Sequence, residues 1–496
     1  MQDEFYTSGE ANIRNLLVGM KEAEKYGAMC KMGYFPDAFG NAGQMPQLLK
    51  QAGMDTVTFG RGVRPVGFDN EVQENGNYES PYSEMMWESP DGTKIFGILF
   101  ANWYNNGNEV PTDKKIAKEY WDDRLKKVAT FASTDEYLLM NGCDHQPVQA
   151  DLGKAIEVAS ELYPDINFKH SNFPEYIKAI KEKVPNDLAV VKGELTSQDT
   201  DGWSTLMNCA SSHIYLKQMN RKCESALENG AEPVRVLSSV LGQNYPSDEL
   251  EYSWKKLMQN HPHDSICCCS VDEVQDEMAT RFNKSKQVAD YLVSEGKRYI
   301  ADKINTKEYE KYKNVLPFVV FNTTGRERTS VVSVEIDVTR KSGWLKKCAY
   351  DLDEINVPNY KLIDSDGNSI PFKIEDLGVK FGYDLPKDKF RQPYMARRVR
   401  VTFEAENISA VGYKTYALVE GDTEKVTDTL VSSENCMEND AIRVEINKKG
   451  SLNVTDKASG RTYKGVAYYE ETGDLGNEYM YLSLIHISEP TRHAQI

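Results

Sequence analysis

The sequence predicts a multidomain protein of α/β, then α, then β class: a partial (β/α) barrel-like domain, a three-helix bundle and the start of a β-sandwich. Three observations carry this. The chain has 496 residues, which at roughly 150 residues per domain makes about three domains. Its first two hundred residues alternate helical and strand patterns, the next hundred are helical, and β-type runs follow. Apolar residues make up 40% and aromatic residues 10%, enough for real cores and incompatible with a wholly disordered chain.

In chain order, Ile13, Leu16, Leu17 and Met20 recur at helical spacing, and Gly27 stops that helix. Met29 to Tyr34 reads as a short, mostly apolar strand running into Phe35-Pro36-Asp37-Ala38-Phe39-Gly40. A second helix places Met45, Leu48, Leu49 and Ala52 on one face, with Pro46 in its first turn and Gly53 as its stop. Thr56 to Phe59 is the next strand, and Tyr137 to Met140 a later one that leads into the turn Asn141-Gly142. This βαβ grammar predicts a parallel sheet or barrel, with chemistry on loops leaving the carboxyl ends of strands. Asp37, Arg61 and Asp144 fall on such loops. Between Thr205 and Asn305, Leu250, Trp254 and Leu257 line one helix face, and Val274, Met278 and Phe282 line another. Ser270 to Glu273 reads as a capping box that starts the latter helix. Phe318–Phe321, Val331–Val338, Arg397–Phe403 and Ala441–Ile446 are β-type runs between Gly, Asn and Asp turns. The expected boundaries are 1–200, 201–306 and 307–481.

Lys plus Arg total 59 against 76 Asp plus Glu, a net charge of −17. Such a surface repels phosphate backbones and anionic lipid, so no nucleic-acid or membrane partner is expected. Apolar runs such as Phe318–Phe321 fall far short of the roughly 20 residues a bilayer needs. Met-Gln-Asp-Glu-Phe at the start has neither a basic region nor an apolar signal core, and the expected location is the cytoplasm. The nine cysteines are odd in number and three are consecutive, Cys267 to Cys269, which reads as reduced thiols rather than a disulfide framework. Adjacent side chains do not easily converge on one tetrahedral ion, so that run reads as a packed loop rather than a metal site.

Two segments carry chemistry. Pro36-Asp37-Ala38-Phe39-Gly40 sets a carboxylate on a strand-to-helix loop, where a helix cap or a solvated residue is the plain alternative. His261-Pro262-His263-Asp264 concentrates two of the seven histidines beside an acid. Pro262 argues for a loop, and at most one of the pair faces a given site. A carboxylate beside a histidine fixes the imidazole tautomer, as at many metal centres; a helix-ending loop with polar caps is the alternative.

Gly33-Tyr-Phe-Pro-Asp37-Ala-Phe39-Gly, Phe59-Gly-Arg61-Gly, Asn141-Gly-Cys-Asp144-His145 and His261-Pro-His263-Asp264-Ser265-Ile266 together resemble glycoside hydrolase family 38, the α-mannosidases, and its bacterial cytosolic branch in particular. The resemblance runs from about Gln2 to Tyr481. It implies that Asp37 is the nucleophile and a zinc ligand, that His263 is a second zinc ligand, and that Asp144 is the general acid and base. It further implies that Phe39, Arg61 and Asp264 line the mannose pocket. Trp103-Tyr104-Asn105-Asn106-Gly107 also resembles a segment of that branch, without assigned roles. The implied reaction is retaining hydrolysis of terminal α-linked mannose from oligosaccharides or N-glycan-derived glycans, with zinc as cofactor and a homo-oligomer left open. Two carboxyl groups suit it, since one attacks the anomeric carbon while the other protonates the leaving oxygen. Hydrolysis of mannosyl-glycerate or a phosphorylated mannoside is the alternative, which extra Lys or Arg in the pocket would favour. A non-catalytic carbohydrate-binding protein fits less well, because both acids are present.

Both ends depart from the family pattern. The other two zinc ligands, a His-x-Asp pair on a first strand, are expected upstream of Met1, and no histidine precedes His145. Leu482 to Ile496 resembles a translated sequencing adapter and is set apart from the fold. The expectation is a chain short at both ends, with doubtful activity of its own.

Overall fold

The computed structural model describes residues 2–64, 79–197, 205–422, 429–469, 473–476 and 479; the adapter-like stretch 482–496 lies outside the described residues. The chain forms two compact units, one of Met1–Glu232, Pro246–Leu292 and Gly473–Ile496, the other of Pro233–Tyr245 and Val293–Thr472. Among the described residues no helix is long and apolar enough to cross a membrane.

The first unit begins with α1 (Gly9–Glu24), β1 (Gly33–Phe35), α2 (Met45–Gln51) and β2 (Thr56–Phe59). A hairpin of β3 (Glu84–Glu88) and β4 (Lys94–Leu99) follows, then α3 (Lys114–Phe131), α4 (Leu152–Leu162), α5 (Phe173–Lys181) and β5 (Val190–Lys192). The strands form one open sheet in the order β1-β2-β4-β3-β5, in which β1, β2 and β4 run parallel and β3 is antiparallel to β4. All four residues of β2 are buried, as expected of a strand covered on both faces. Leu49 of α2 packs with Val57, Phe59, Met85, Trp87, Ile95 and Leu195 into the core of this sheet. The alternating grammar of the sequence is therefore interrupted by a hairpin turning at Gly92, whose φ is +85°.

Four local readings change. The first strand spans only Gly33–Phe35, because its ladder partner β2 is short and begins pairing at Val57. Tyr137 to Met140 joins no ladder: the Asn106 side chain takes the place of a neighbouring strand, donating to Leu138 O at 3.0 Å and accepting from Met140 N at 2.7 Å. In α1, Ile13 and Leu17 are exposed while Ala11 and Asn12 are buried. Its N-cap Ser8 is tied through backbone N–H to Glu224 at 2.8 Å, which turns that side inward. Ser270 forms no capping box, since its buried hydroxyl has no partner and the helix begins two residues later.

The helical stretch comprises α6 (Ile214–Ser225), a π-helical turn at Ala226–Ala231, α7 (Glu232–Val240), α8 (Ser247–Met258), the single turn α9 (His263–Ile266) and α10 (Asp272–Ala301). Within the first unit, Cys223 of α6 donates to Phe282 O of α10 at 3.3 Å, and Ser253 of α8 to Ser285 O at 2.9 Å. Trp254, Leu257, Met278 and Phe282 are buried in these contacts.

In the second unit, β6 (Leu316–Asn322) and β7 (Arg328–Lys341) precede α11 (Leu345–Asp353), β8 (Tyr360–Asp364), β9 (Ser369–Ile370), β10 (Phe372–Asp384), β11 (Gln392–Ile408) and β12 (Gly412–Glu420). They make two sheets, β10-β11-β7 and β6-β12-β8-β9. Phe403 on one and Tyr416 on the other meet with ring centroids 4.9 Å apart, inside one shared core. A five-stranded antiparallel meander covers Val431–Val466.

Candidate active site

Three loops leave the carboxyl ends of the parallel strands on one side of the sheet. Asp37 follows β1, Arg61 follows β2, and Trp103 with Tyr104 follows β4. Gly60 N–H donates to Phe35 O at 3.1 Å and Phe100 N–H to Phe59 O at 2.9 Å, so the ladder continues into the loops. Gly60 is required by close approach: a Cβ there would lie 1.9 Å from Pro36 O.

Asp37 sits at the centre. The Arg61 Nε donates to its Oδ1 at 2.8 Å, and the Arg61 Nη2 donates to the same oxygen. Its other oxygen, Oδ2, lies 3.3 Å from His263 Nε2, delivered by α9. Asp264 Oδ1 is 3.4 Å from the same nitrogen. Phe39 meets the His263 ring edge-on at 5.2 Å, and the Arg61 guanidinium lies over Phe39 at 5.4 Å and over Trp103 at 4.7 Å. The Arg61, His263 and Asp37 side chains are only 10%, 11% and 18% exposed, so their charges act with little screening. Burial pushes the Asp37 carboxyl up, but the His263 hydrogen bond and the charges of Arg61 and His263 outweigh it and hold it below the usual carboxylate range.

Asp144 lies on a loop that no strand delivers. Tyr104 donates its hydroxyl to Asp144 Oδ2 at 2.7 Å, and Asn141 donates to Gly107 O at 3.0 Å. Burial raises the Tyr104 phenol above its ordinary value, and the negative charges of both Asp37 and Asp144 raise it further. Tyr34 is also raised, first by burial and then by Asp144. The structure therefore brings Asp37, Phe39, Arg61, His263 and Asp264 together, while Asp144 meets Tyr104, whose ring packs on Trp103 beside Arg61. Sequence reasoning left Trp103 and Tyr104 without roles; two aromatic residues just past a buried strand were the available signal.

The two histidines diverge. His261 is wholly buried, its Nε2 2.9 Å from Asn220 Oδ1. Because the Asn220 amide nitrogen donates to Tyr6 O and Glu224, its oxygen accepts, so His261 carries the proton on Nε2.

A metal would meet two donors here. For bonds of about 2.0–2.1 Å, the edge of a coordination tetrahedron is about 3.3 Å. Asp37 Oδ2 and His263 Nε2 have that separation, and the buried His263 Nδ1 has no partner. The pair fits as two ligands; among the described residues no group of three metal-binding side chains converges.

Comparison with known proteins agrees along the chain. Residues 1–204 match the glycosyl hydrolases family 38 N-terminal domain, 204–300 the alpha mannosidase middle domain, and 313–420 the glycosyl hydrolases family 38 C-terminal domain 1. The chain is 46% identical to a Halalkalibacterium halodurans protein named "Putative mannosylglycerate hydrolase", over 97% of this chain and 54% of that one. It is 24% identical to human alpha-mannosidase 2C1 over 58% of this chain and 26% of the relative. A crystal structure of an alpha-mannosidase from Enterococcus faecalis V583 superposes with a TM-score of 0.89 at 46% identity, covering 97% of this chain and 54% of that one. The chain thus spans about half the length of the bacterial relatives it matches.

Proposed function

The chain belongs to glycoside hydrolase family 38, a family of glycosidases, and from that premise we propose that the protein is a retaining, zinc-dependent α-mannosidase. Its substrates are terminal α-linked mannose residues of oligosaccharides or N-glycan-derived glycans, and its nine free cysteines suit the cytoplasm. The observation that carries the reading is that two carboxylates of the family's motifs are held in different ways. Asp37 is clamped and ionised by Arg61 and His263, and Asp144 is held by Tyr104.

In this mechanism Asp37 attacks the anomeric carbon while Asp144 protonates the leaving oxygen; water, activated by Asp144, then releases the sugar from Asp37 with net retention. Arg61 keeps Asp37 ionised and, by holding Oδ1, leaves Oδ2 turned to His263. Phe39 and Asp264 border the sugar. Asp37 and His263 would hold zinc, which when bound supplies a Lewis-acidic anchor for sugar hydroxyls.

The test uses 4-nitrophenyl α-mannoside with proton NMR of the first-formed anomer, and a slow fluorinated mannosyl fluoride to trap the adduct. An α-configured product and an adduct on the Asp37 peptide are expected. A β-configured product, or an adduct elsewhere, sinks the proposal. The name of the 46%-identical bacterial relative favours a second reading, a mannoside whose leaving group is glycerate. Mannosyl-glycerate cleaved at least about tenfold more efficiently than dimannose, or about 1.4 kcal/mol of extra transition-state binding, would select it.

A further inference from the structure

The segment Trp103–Gly107, to which the sequence alone gave no role, grips both the clamp on Asp37 and the stretch that leads to Asp144. At its front end the Trp103 indole packs on the loop after β2: a Cβ at Gly60 would lie 2.9 Å from it. Arg61, the next residue of that loop, sets its guanidinium over the same indole at 4.7 Å, while its Nε and Nη2 both donate to Asp37 Oδ1. Both donors reach one oxygen only in a narrow range of orientations of the planar guanidinium, and a ring against it limits that range further. Trp103 also packs on Tyr104, with ring centroids 4.3 Å apart and planes inclined at 36°, and the Tyr104 hydroxyl donates to Asp144 Oδ2 at 2.7 Å. At the rear end, buried Asn106 bonds Leu138 and Met140, Gly107 N–H donates to Met140 O at 2.9 Å, and Asn105 Nδ2 donates to Cys143 Sγ at 3.6 Å.

Trp103 occupies its place against a backbone penalty. Its φ is +70°, a left-handed conformation that bulky side chains rarely adopt, and its N–H donates to Phe100 O at 2.9 Å. Such strain persists where the surroundings over-determine it, and it concentrates at functional sites. Glycine takes this backbone freely, so the turn alone does not account for an indole here.

We propose that Trp103 is a positioning residue that holds Arg61 and Tyr104 at a fixed spacing, and through them sets the nucleophile against the acid; this rests on the roles proposed above for Asp37 and Asp144. A retaining glycosidase needs its two carboxyl groups about 5 Å apart, and a misplacement of about 1 Å costs on the order of 10²-fold. Because Trp103 acts through Arg61 and Tyr104 rather than on the sugar, its loss falls on kcat.

Trp103→Ala should lower kcat for 4-nitrophenyl α-mannoside at least about tenfold and for dimannose at least about a hundredfold, with KM within about threefold of wild type. Trp103→Phe should keep kcat within about threefold of wild type, since its ring can still pack on both partners. Trp103→Gly, which suits the left-handed backbone and serves if the Ala variant does not fold, should lose as much activity as Trp103→Ala. In a Tyr104→Phe background, the further loss from Trp103→Ala on dimannose should be at least about threefold smaller than in wild type. Losses that simply multiply, an unchanged kcat, or an effect confined to KM overturn the proposal; the last would make Trp103 a sugar contact. Hydrogen exchange reads the positioning without catalysis. Amides of residues 137–144 should exchange at least about tenfold faster in Trp103→Ala and Trp103→Gly than in wild type and Trp103→Phe, with α3 unchanged. Unchanged exchange at 137–144, or the same rise in α3, overturns it. If the wild-type chain hydrolyses no mannoside, the catalytic reading fails, and the exchange rates alone decide whether Trp103 holds these segments in place.

Discussion

Asp37 faces a conflict that its neighbours resolve. Burial pushes its carboxylate toward the neutral form, and on the proposed mechanism a neutral carboxyl could not attack a sugar. Two Arg61 contacts and one from His263 settle the matter in favour of the anion. Replacing Asp37 by Ala should therefore bring turnover of an activated mannoside to background while near-ultraviolet circular dichroism is unchanged. Asp144→Ala should slow substrates with poor leaving groups by about 10²–10⁴-fold and nitrophenyl substrates far less, because only the former need the proton. Equal losses for both substrates count against its acid role. Tyr104→Phe removes a hydrogen bond to a charged group, worth about 1.5–3 kcal/mol, or roughly 10–100-fold. That loss should appear in kcat for poor leaving groups with KM little changed; a loss confined to KM would make Tyr104 a substrate contact instead. Asp37 alone read as readily as a helix cap and Arg61 gained its role only from the family resemblance, whereas His263 was legible as one of two histidines beside an acid. Tyr104 was not, because the partner of a phenol is chosen by the fold rather than by its neighbours in the chain.

At the scale of elements, the site exists because β1, β2 and β4 run in one direction and end on one side. The β2 strand and the helix after β1 were legible, since their apolar residues keep strict spacing: Met45 and Leu49 on one, Thr56 to Phe59 on the other. The Tyr137–Met140 strand was not, because an extended apolar run looks the same whether its backbone meets a strand or the amide of Asn106. The loops after β1 and β2 touch at Gly60, where a methyl group would strike Pro36 O at 1.9 Å and Trp103 at 2.9 Å. Gly60→Ala should accordingly destabilise the chain by about 3 kcal/mol or more, in the upper range of single substitutions, or force the Asp37 and Arg61 loops apart. Denaturant unfolding measures the first outcome, and loss of mannoside turnover in a still-folded chain the second. An Ala variant with native stability and rate would show that the loops have room.

At the scale of the whole molecule, the first unit buries titratable groups of opposite tendency, and stability should peak between them. His261 is held neutral by burial, which lowers it to about 3. Below about 6.5 the unfolded chain takes up a proton there and the folded chain does not. Stability from this group is thus complete above about 6.5 and is lost as the pH falls toward 3, by up to about 1.4 kcal/mol per unit. Glu4 works the other way. Burial raises its carboxyl well above the ordinary range despite a hydrogen bond from Ala42 N–H. Its contribution is present below about 4.5 and is lost as the pH rises through the raised folded value. His261→Gln should flatten the acid side of the stability curve, since an amide can still donate to Asn220 but does not titrate. Glu4→Gln should flatten the alkaline side. The reading is hydrogen exchange of α8 and α10 in the first unit from pH 4 to 8, converted to opening free energies. Parallel curves for wild type and His261→Gln below pH 6 would mean that this imidazole protonates in the folded chain, and that the wall around it is open to water.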